Sequence, residues 1–403
     1  MLTKSLWMLM GLFFFSSLSA CEGQTNEVAK SVGASKGVIT GAEQLSDYLP
    51  MIKGKRIALV ANHASRINRT HLLDTLLSLG MEVTVIFSPE HGFRGEEDAG
   101  AKVKDGLDPK SGLPVYSLYG DHKKPSNDDL ANVDVILFDL QDVGVRFYTY
   151  LSTLHYVMQA AAEQSLPIIV LDRPNPFMDV VDGPLMQEES MSFVGLHPVP
   201  LIYGMSIGEY ASMIAEENWI QTEYQVDYTV VHCRNLARET EYTLPFAPSP
   251  NLPNMRSIML YPSLALFEGT VISVGRGTDL PFQQIGHPKL EGAYTHTFTP
   301  KATKGASNPK LKGEVCYGVL LDQKEGKSFD LQYLLDFYSN YPEKENFFNN
   351  YFHLLAGNKA LIDQIKSGKS AAKIKASWEE DLKNFKKLRK KYLYYNSMSD
   401  VRN

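Results

Sequence analysis

Arg56-Ile-Ala-Leu-Val-Ala61 is followed, at intervals that leave room for a helix or a longer connection, by Glu82-Val-Thr-Val-Ile-Phe87, Val133-Asp-Val-Ile-Leu-Phe138 and Pro167-Ile-Ile-Val-Leu171. All four runs are short, rich in β-branched residues and almost continuously apolar. That is the pattern of strands covered on both faces. Helical periodicity lies between them. Leu72, Leu73, Leu76 and Leu77 share one face of Thr70 to Leu79, and Leu154, Val157, Met158 and Ala161 share one face of Leu151 to Glu163. Alternation of strand and helix predicts an α/β chain built on a parallel sheet.

The residues after each strand carry the chemistry. Asn62 and His63 follow the first. Ser88-Pro-Glu-His-Gly-Phe-Arg-Gly95 follows the second, Asp139-Leu-Gln-Asp-Val-Gly-Val-Arg146 the third, and Asp172-Arg-Pro-Asn-Pro176 the fourth. Ligands of open α/β sheets bind beyond the carboxyl ends of the strands, so this rim is the expected site.

A second region starts near Pro184. Ser206-Ile-Gly-Glu209 predicts a capped helix start, Tyr224 to His232 a strand, and the proline-rich Phe246 to Asn254 an extended segment. In Leu264 to Asp279, glycines flank Glu268, Arg276 and Asp279. They suit either a backbone approaching a ligand or plain turns. Amphipathic helices are expected over Phe329 to Tyr338 and Phe347 to Leu355, and the basic run Lys383 to Lys391 reads as a solvated helix face. The divisions are residues 1–20, 21–37, 38–240 and 241–403.

Composition removes several classes. With 403 residues, 44% hydrophobic and 21% charged, the chain is globular, and a net charge of -6 argues against nucleic acid as a partner. Cys21, Cys233 and Cys316 are too scattered for a zinc site, although the last two are able to pair in an oxidising compartment. Residues 1–20 read as an export signal, with Lys4, the apolar run Leu6 to Phe15, and Leu18-Ser-Ala-Cys21 arranged like a bacterial lipobox. Cys21 is then the lipidated residue, residues 21–37 a tether, and the body is exported and anchored to an envelope membrane.

No dinucleotide or triphosphate glycine loop and no GxSxG elbow occurs. His63, His71, His91 and Asp98 lack metal-ligand spacing, so neither metal nor cofactor is expected. Paired carboxylates remain, as glycoside hydrolysis uses them. Glu90 is the candidate acid, with Phe93 expected to bury it, and Asp142 or Glu268 is the candidate partner, ahead of Asp139. Arg94, Arg146 and Arg276 suit either structural pairing or bidentate binding of a substrate carboxylate. Tyr148, Tyr150 and Phe267 are available to stack on a sugar.

Pro89-Glu-His-Gly-Phe-Arg-Gly95, Phe138 to Tyr150, Asp172 to Pro176, Ser249-Pro-Asn-Leu-Pro253, and Glu268 to Gln283 together resemble the exo-acting β-N-acetylmuramidases of glycoside hydrolase family 171, the NamZ type. The likeness runs in order from about residue 37 to the C-terminus. It implies a Rossmann-like domain, a smaller α+β C-terminal domain and an active-site cleft between them. It also implies release of N-acetylmuramic acid from the non-reducing end of peptidoglycan-derived muropeptides or disaccharides, and a catalytic acid at Glu90. Asn62, His63, His91, Arg94, Arg146, Asn251, Arg276 and Asp279 are the expected substrate-binding residues. Competing expectations are a non-catalytic peptidoglycan-binding lipoprotein and a hydrolase of esters or phosphates.

Overall fold

The computed structural model describes residues 37–90, 92–94, 105–321 and 328–397. Cys21, His91 and Asp98 lie outside these residues. Among the described residues one sheet contains β1 (Arg56–Ala61), β2 (Glu82–Ser88), β3 (Gly106–Leu107), β4 (Pro114–Ser117), β5 (Val135–Asp139), β6 (Ile168–Leu171) and β7 (Tyr228–Val231). Their order is β7-β6-β5-β1-β2-β4-β3. Every neighbouring pair is parallel except β3 with β4, an antiparallel edge.

The continuous apolar runs are explained by burial on both faces. Ala58, Val60, Val85, Phe87, Ile136 and Phe138 join the larger core, which includes the helices Tyr150–Glu163 and Ile207–Glu216. Ile57, Leu59, Val83, Val135 and Leu137 face the other way, toward Leu45–Ile52 and Leu72–Ser78. Ser206 and Glu209 form the expected capping box.

Strand order reverses at β1, where successive strands stop adding on one side and resume on the other. This switch point is closed by polar groups rather than left open. Arg173 forks onto Asp139, Nε to Oδ1 at 2.5 Å and Nη2 to Oδ2 at 2.8 Å. Ser65 donates to the Asp139 carbonyl, and Asn62 Nδ2 donates to the Tyr150 hydroxyl at 2.7 Å.

The C-terminal region has a smaller antiparallel sheet of β8 (Gln284–His287), β9 (His296–Phe298) and β10 (Cys316–Leu320), with β10 central. Helices follow at Gln332–Asn340, Phe352–Ala356, Ala360–Lys366, Ala371–Ala376 and Glu379–Arg389. The first starts later than periodicity suggests because the Asp330 carboxylate accepts from the Gln332 amide. The helix Met255–Leu264 escaped the sequence reading behind the prolines before it. Asn254 and Ser257 cap it reciprocally, and Pro262 sits in its last turn. Cys233 and Cys316 are both buried and free, so they do not form the disulfide allowed by the sequence.

Arg146 ties the two regions together. It is 2% exposed, and its guanidinium donates to the carbonyls of Pro184, Val199 and Leu355. Burial lowers its pKa to about 9. Near the C-terminus Tyr395 returns to the main sheet and bonds Asp172 at the end of β6.

Candidate active site

The carboxyl ends of β2, β4 and β5 supply one side of a cavity of about 470 Å³, and the C-terminal region supplies the rest. Glu90 follows β2. Thr149, beyond β5, donates its hydroxyl to Glu90 Oε2 at 3.0 Å. Tyr119, beyond β4, also hydrogen-bonds Glu90, and burial together with the Glu90 charge raises its pKa. Leu118 N donates to Ser88 O, which holds the Tyr119 loop against the end of β2. Two hydroxyls therefore orient the carboxyl.

Glu268 enters from the opposite side on a short 3-10 turn, Ala265–Gly269. Arg276 meets it through two hydrogen bonds, Nε to Oε1 at 3.1 Å and Nη2 to Oε2 at 2.9 Å. The guanidinium also lies over the Phe282 ring, 4.9 Å from its centroid. Its remaining nitrogen, Nη1, is buried and has no partner among the described residues. Burial by itself would raise the Glu268 pKa, but Arg276 outweighs it and, with Lys310, holds this carboxyl below the usual range. Gly275 and Gly277 have φ of +76° and +78°. A Cβ on Gly277 would lie 2.3 Å from the Lys301 carbonyl, so these glycines make a tight turn against the protein's own backbone, with Arg276 at its apex.

Phe147, Tyr261 and Tyr351 provide aromatic walls, and Tyr351 is 42% exposed. A small adjoining recess of about 40 Å³ shares Glu90, Thr149 and Arg276, and brings in Ser249 and Asn251. Asn251 Nδ2 donates to Gly305 O at 2.7 Å, fixing the loop that continues to Lys310.

Glu90, Glu268, Arg276 and Asn251 thus converge. Among the described residues, the other expected ones do not line the cavity. Asp142 is 1% exposed, bonded by the Gly144 amide and the Tyr203 hydroxyl, and burial raises its pKa to about 6. Arg146 spends its donors on backbone carbonyls, as described above. Arg94 forks onto Asp108 with both bonds at 2.9 Å. Asn62 serves the switch-point network, His63 bonds the Ala247 carbonyl at 2.7 Å, and Asp279 is exposed. Phe93 packs edge-on against His71 and is not a wall for Glu90. Of the expected stacking rings, Phe267 and Tyr150 are core residues, and Tyr148 reaches only the small recess.

Sequence reasoning missed Tyr119, Thr149, Tyr261, Lys310 and Tyr351. A signal existed for Tyr119, which follows Pro114-Val-Tyr-Ser117, a short strand ending on the same rim.

Residues 57–256 match the family model described as "Exo-beta-N-acetylmuramidase NamZ, N-terminal", and residues 259–395 match "Exo-beta-N-acetylmuramidase NamZ, C-terminal". The chain is 40% identical to the "Peptidoglycan beta-N-acetylmuramidase NamZ" of Bacillus subtilis (strain 168), across 96% of this chain and 98% of that protein. Two crystal structures of DUF1343 family proteins from Bacteroides fragilis NCTC 9343 share the fold. One has a TM-score of 0.84 at 44% identity, covering 90% of this chain and all of the other. The second has a TM-score of 0.75 at 27% identity, covering 89% of this chain and 99% of the other. The chain therefore belongs to the NamZ family of exo-β-N-acetylmuramidases.

Proposed function

We infer that the protein is an exo-acting glycoside hydrolase that releases N-acetylmuramic acid from the non-reducing end of peptidoglycan-derived fragments. The observation that carries this reading is the placement of two carboxyls with different surroundings on one cavity, Glu90 between hydroxyls and Glu268 in an arginine fork. Acid and base roles follow from such differences. Glu268 is held ionised, which unsuits it to proton donation, so Glu90 is the acid that protonates the leaving glycosidic oxygen. Glu268 then acts as an anion, stabilising positive charge at the anomeric carbon or orienting the group that attacks it.

Substrate size and charge agree with this reading. The cavity is near the small end of ligand pockets, which run about 300–1,000 Å³, and suits one terminal sugar better than a glycan stretch. N-acetylmuramic acid carries a lactyl carboxylate. Arg276 lines the cavity, so its guanidinium is the candidate partner for that group. Asn251 and Tyr351 complete the contacts expected around the sugar and its leaving group.

The same proposal includes the N-terminal segment. Residues 1–20 direct export, Cys21 takes the lipid, and the catalytic body works in the periplasm or on the outer face of a membrane. Support comes from the order of Lys4, the apolar run and Leu18-Ser-Ala-Cys21. Incorporation of labelled fatty acid into the full chain, lost in Cys21→Ser, tests it.

For the activity, the test is a pair of disaccharides of opposite order. Release of free N-acetylmuramic acid only when that sugar is at the non-reducing end supports the assignment. Cleavage of both orders refutes it.

A further inference from the structure

Lys310 lines the active-site cavity, but its ammonium is turned to the protein. Nζ donates to the backbone carbonyls of Thr270 at 2.5 Å, Phe267 at 3.1 Å and Ile272 at 3.1 Å, with the Glu268 carbonyl at 3.5 Å. An ammonium has three N–H groups, so these contacts commit all of them and leave none for a substrate. The carbonyls belong to the turn that carries Glu268 and to the segment leading from it toward Arg276. Gly305 to Lys310 also forms a cavity wall, so one side chain fastens two walls together.

We propose that Lys310 is a positioning residue whose ammonium gathers the Phe267, Thr270 and Ile272 carbonyls and so aims Glu268, with Arg276 attached to it, at the substrate. This inference rests on the reading of the cavity as the muramidase site. A purely structural lysine would more simply reach solvent, as most do, because burying an ammonium is costly. Here it stays within the electrostatic reach of three other titratable groups: Glu268 on the turn, Arg276 on the glycine loop, and His287 at the end of β8. Burial, the dominant influence, lowers the Lys310 pKa to about 8 despite the attraction of Glu268. Above that pH the neutral amine has only two N–H groups and presents a lone pair to the carbonyls, loosening the clasp.

The test compares wild type, Lys310→Met and Lys310→Arg as full catalytic bodies. Turnover of a chromogenic β-N-acetylmuramide is followed from acid to alkaline pH, with circular dichroism to confirm folding. Turnover by the wild type tests the muramidase reading on its own, and the variants test Lys310. The expected wild-type kcat falls through an alkaline limb near pH 8. Lys310→Met is expected to lose about tenfold or more in kcat with KM within about threefold, the signature of misplaced catalytic groups rather than lost binding. Lys310→Arg, which stays charged, is expected to recover much of that kcat and to move the alkaline limb upward by about one pH unit or more.

A wild-type kcat that remains flat through pH 8 and beyond overturns the proposal. So does a limb left in place in either folded variant, or a Lys310→Met defect confined to KM. Loss of the fold in both variants also overturns it, because Lys310 would then be a structural residue.

Discussion

Arg276 holds Glu268 in a two-point fork, with bonds of 3.1 and 2.9 Å, and leaves its third nitrogen unused. The fork keeps Glu268 anionic, and under the proposed function the same guanidinium is the cation expected to meet the substrate carboxylate. Lysine at this position retains charge but not the planar fork. Arg276→Lys is therefore expected to lower kcat/KM on a β-N-acetylmuramide by ~10- to 100-fold, corresponding to the ~1.5–3 kcal/mol of a hydrogen bond to a charged group. Unchanged steady-state kinetics would remove Arg276 from the site.

Glu90→Gln tests the acid. The amide oxygen still accepts from Thr149, so the fold and the pocket are expected to survive. The proton is gone, and single-turnover release of the sugar is expected to slow by ~10²- to 10⁴-fold, the usual contribution of a general acid. A poorly activated aglycone should show the larger defect. Equal defects with good and poor leaving groups would argue against proton donation by Glu90.

Asp142 was the rival catalytic carboxyl, and its burial behind Tyr203 gives it a different signature. Its folded pKa, about 6, lies above the ordinary 3.8, so the fold binds this proton more tightly than the unfolded chain. Its contribution is complete below pH ~4 and is lost as pH rises through 6, on the order of 3 kcal/mol in all. Asp142→Asn should consequently gain thermal stability relative to wild type between pH 4 and pH 7, and should keep turnover within about threefold. A catalytic collapse in a well-folded Asp142→Asn protein would restore Asp142 to the mechanism.

His71 has the opposite sign. It is buried, accepts from the Leu73 amide through Nδ1 and donates from Nε2 to the Asn62 carbonyl, which requires the neutral ring. Burial lowers its pKa to about 4. The stability it contributes is present above pH ~6.5 and is lost as pH falls through 4, again on the order of 3 kcal/mol. Over that window, where Asp142 acts in the opposite direction in both proteins, the melting temperature of wild type should fall relative to that of His71→Gln. Parallel curves for the two proteins would contradict this assignment.

The main sheet was legible because its central strands are buried on both faces, which leaves a continuous apolar signature over Arg56–Ala61 and Glu82–Ser88. The edge strand Gly106–Leu107 and its neighbour Pro114–Ser117 have no such signature, being short and covered less. Glu90 could be found by its position after a strand, and Glu268 and Arg276 by the glycines around them. Asp142 and Arg146 have the same kind of local context, but their side chains turn inward, a choice made by Tyr203 and by carbonyls more than 30 residues away. Tyr261 and Lys310 reach the cavity only because the C-terminal region folds back onto the rim. No local spacing records that contact.

The most direct test of the account is hydrolysis of two chromogenic substrates by the same preparation, a β-N-acetylmuramide and the matching β-N-acetylglucosaminide, which differ in the lactyl group. The account predicts rapid cleavage of the muramide, little or none of the glucosaminide, and loss of the muramide activity in Glu90→Gln. Tight binding of muropeptides by a well-folded protein that cleaves neither substrate would contradict it and leave a peptidoglycan-binding protein in its place.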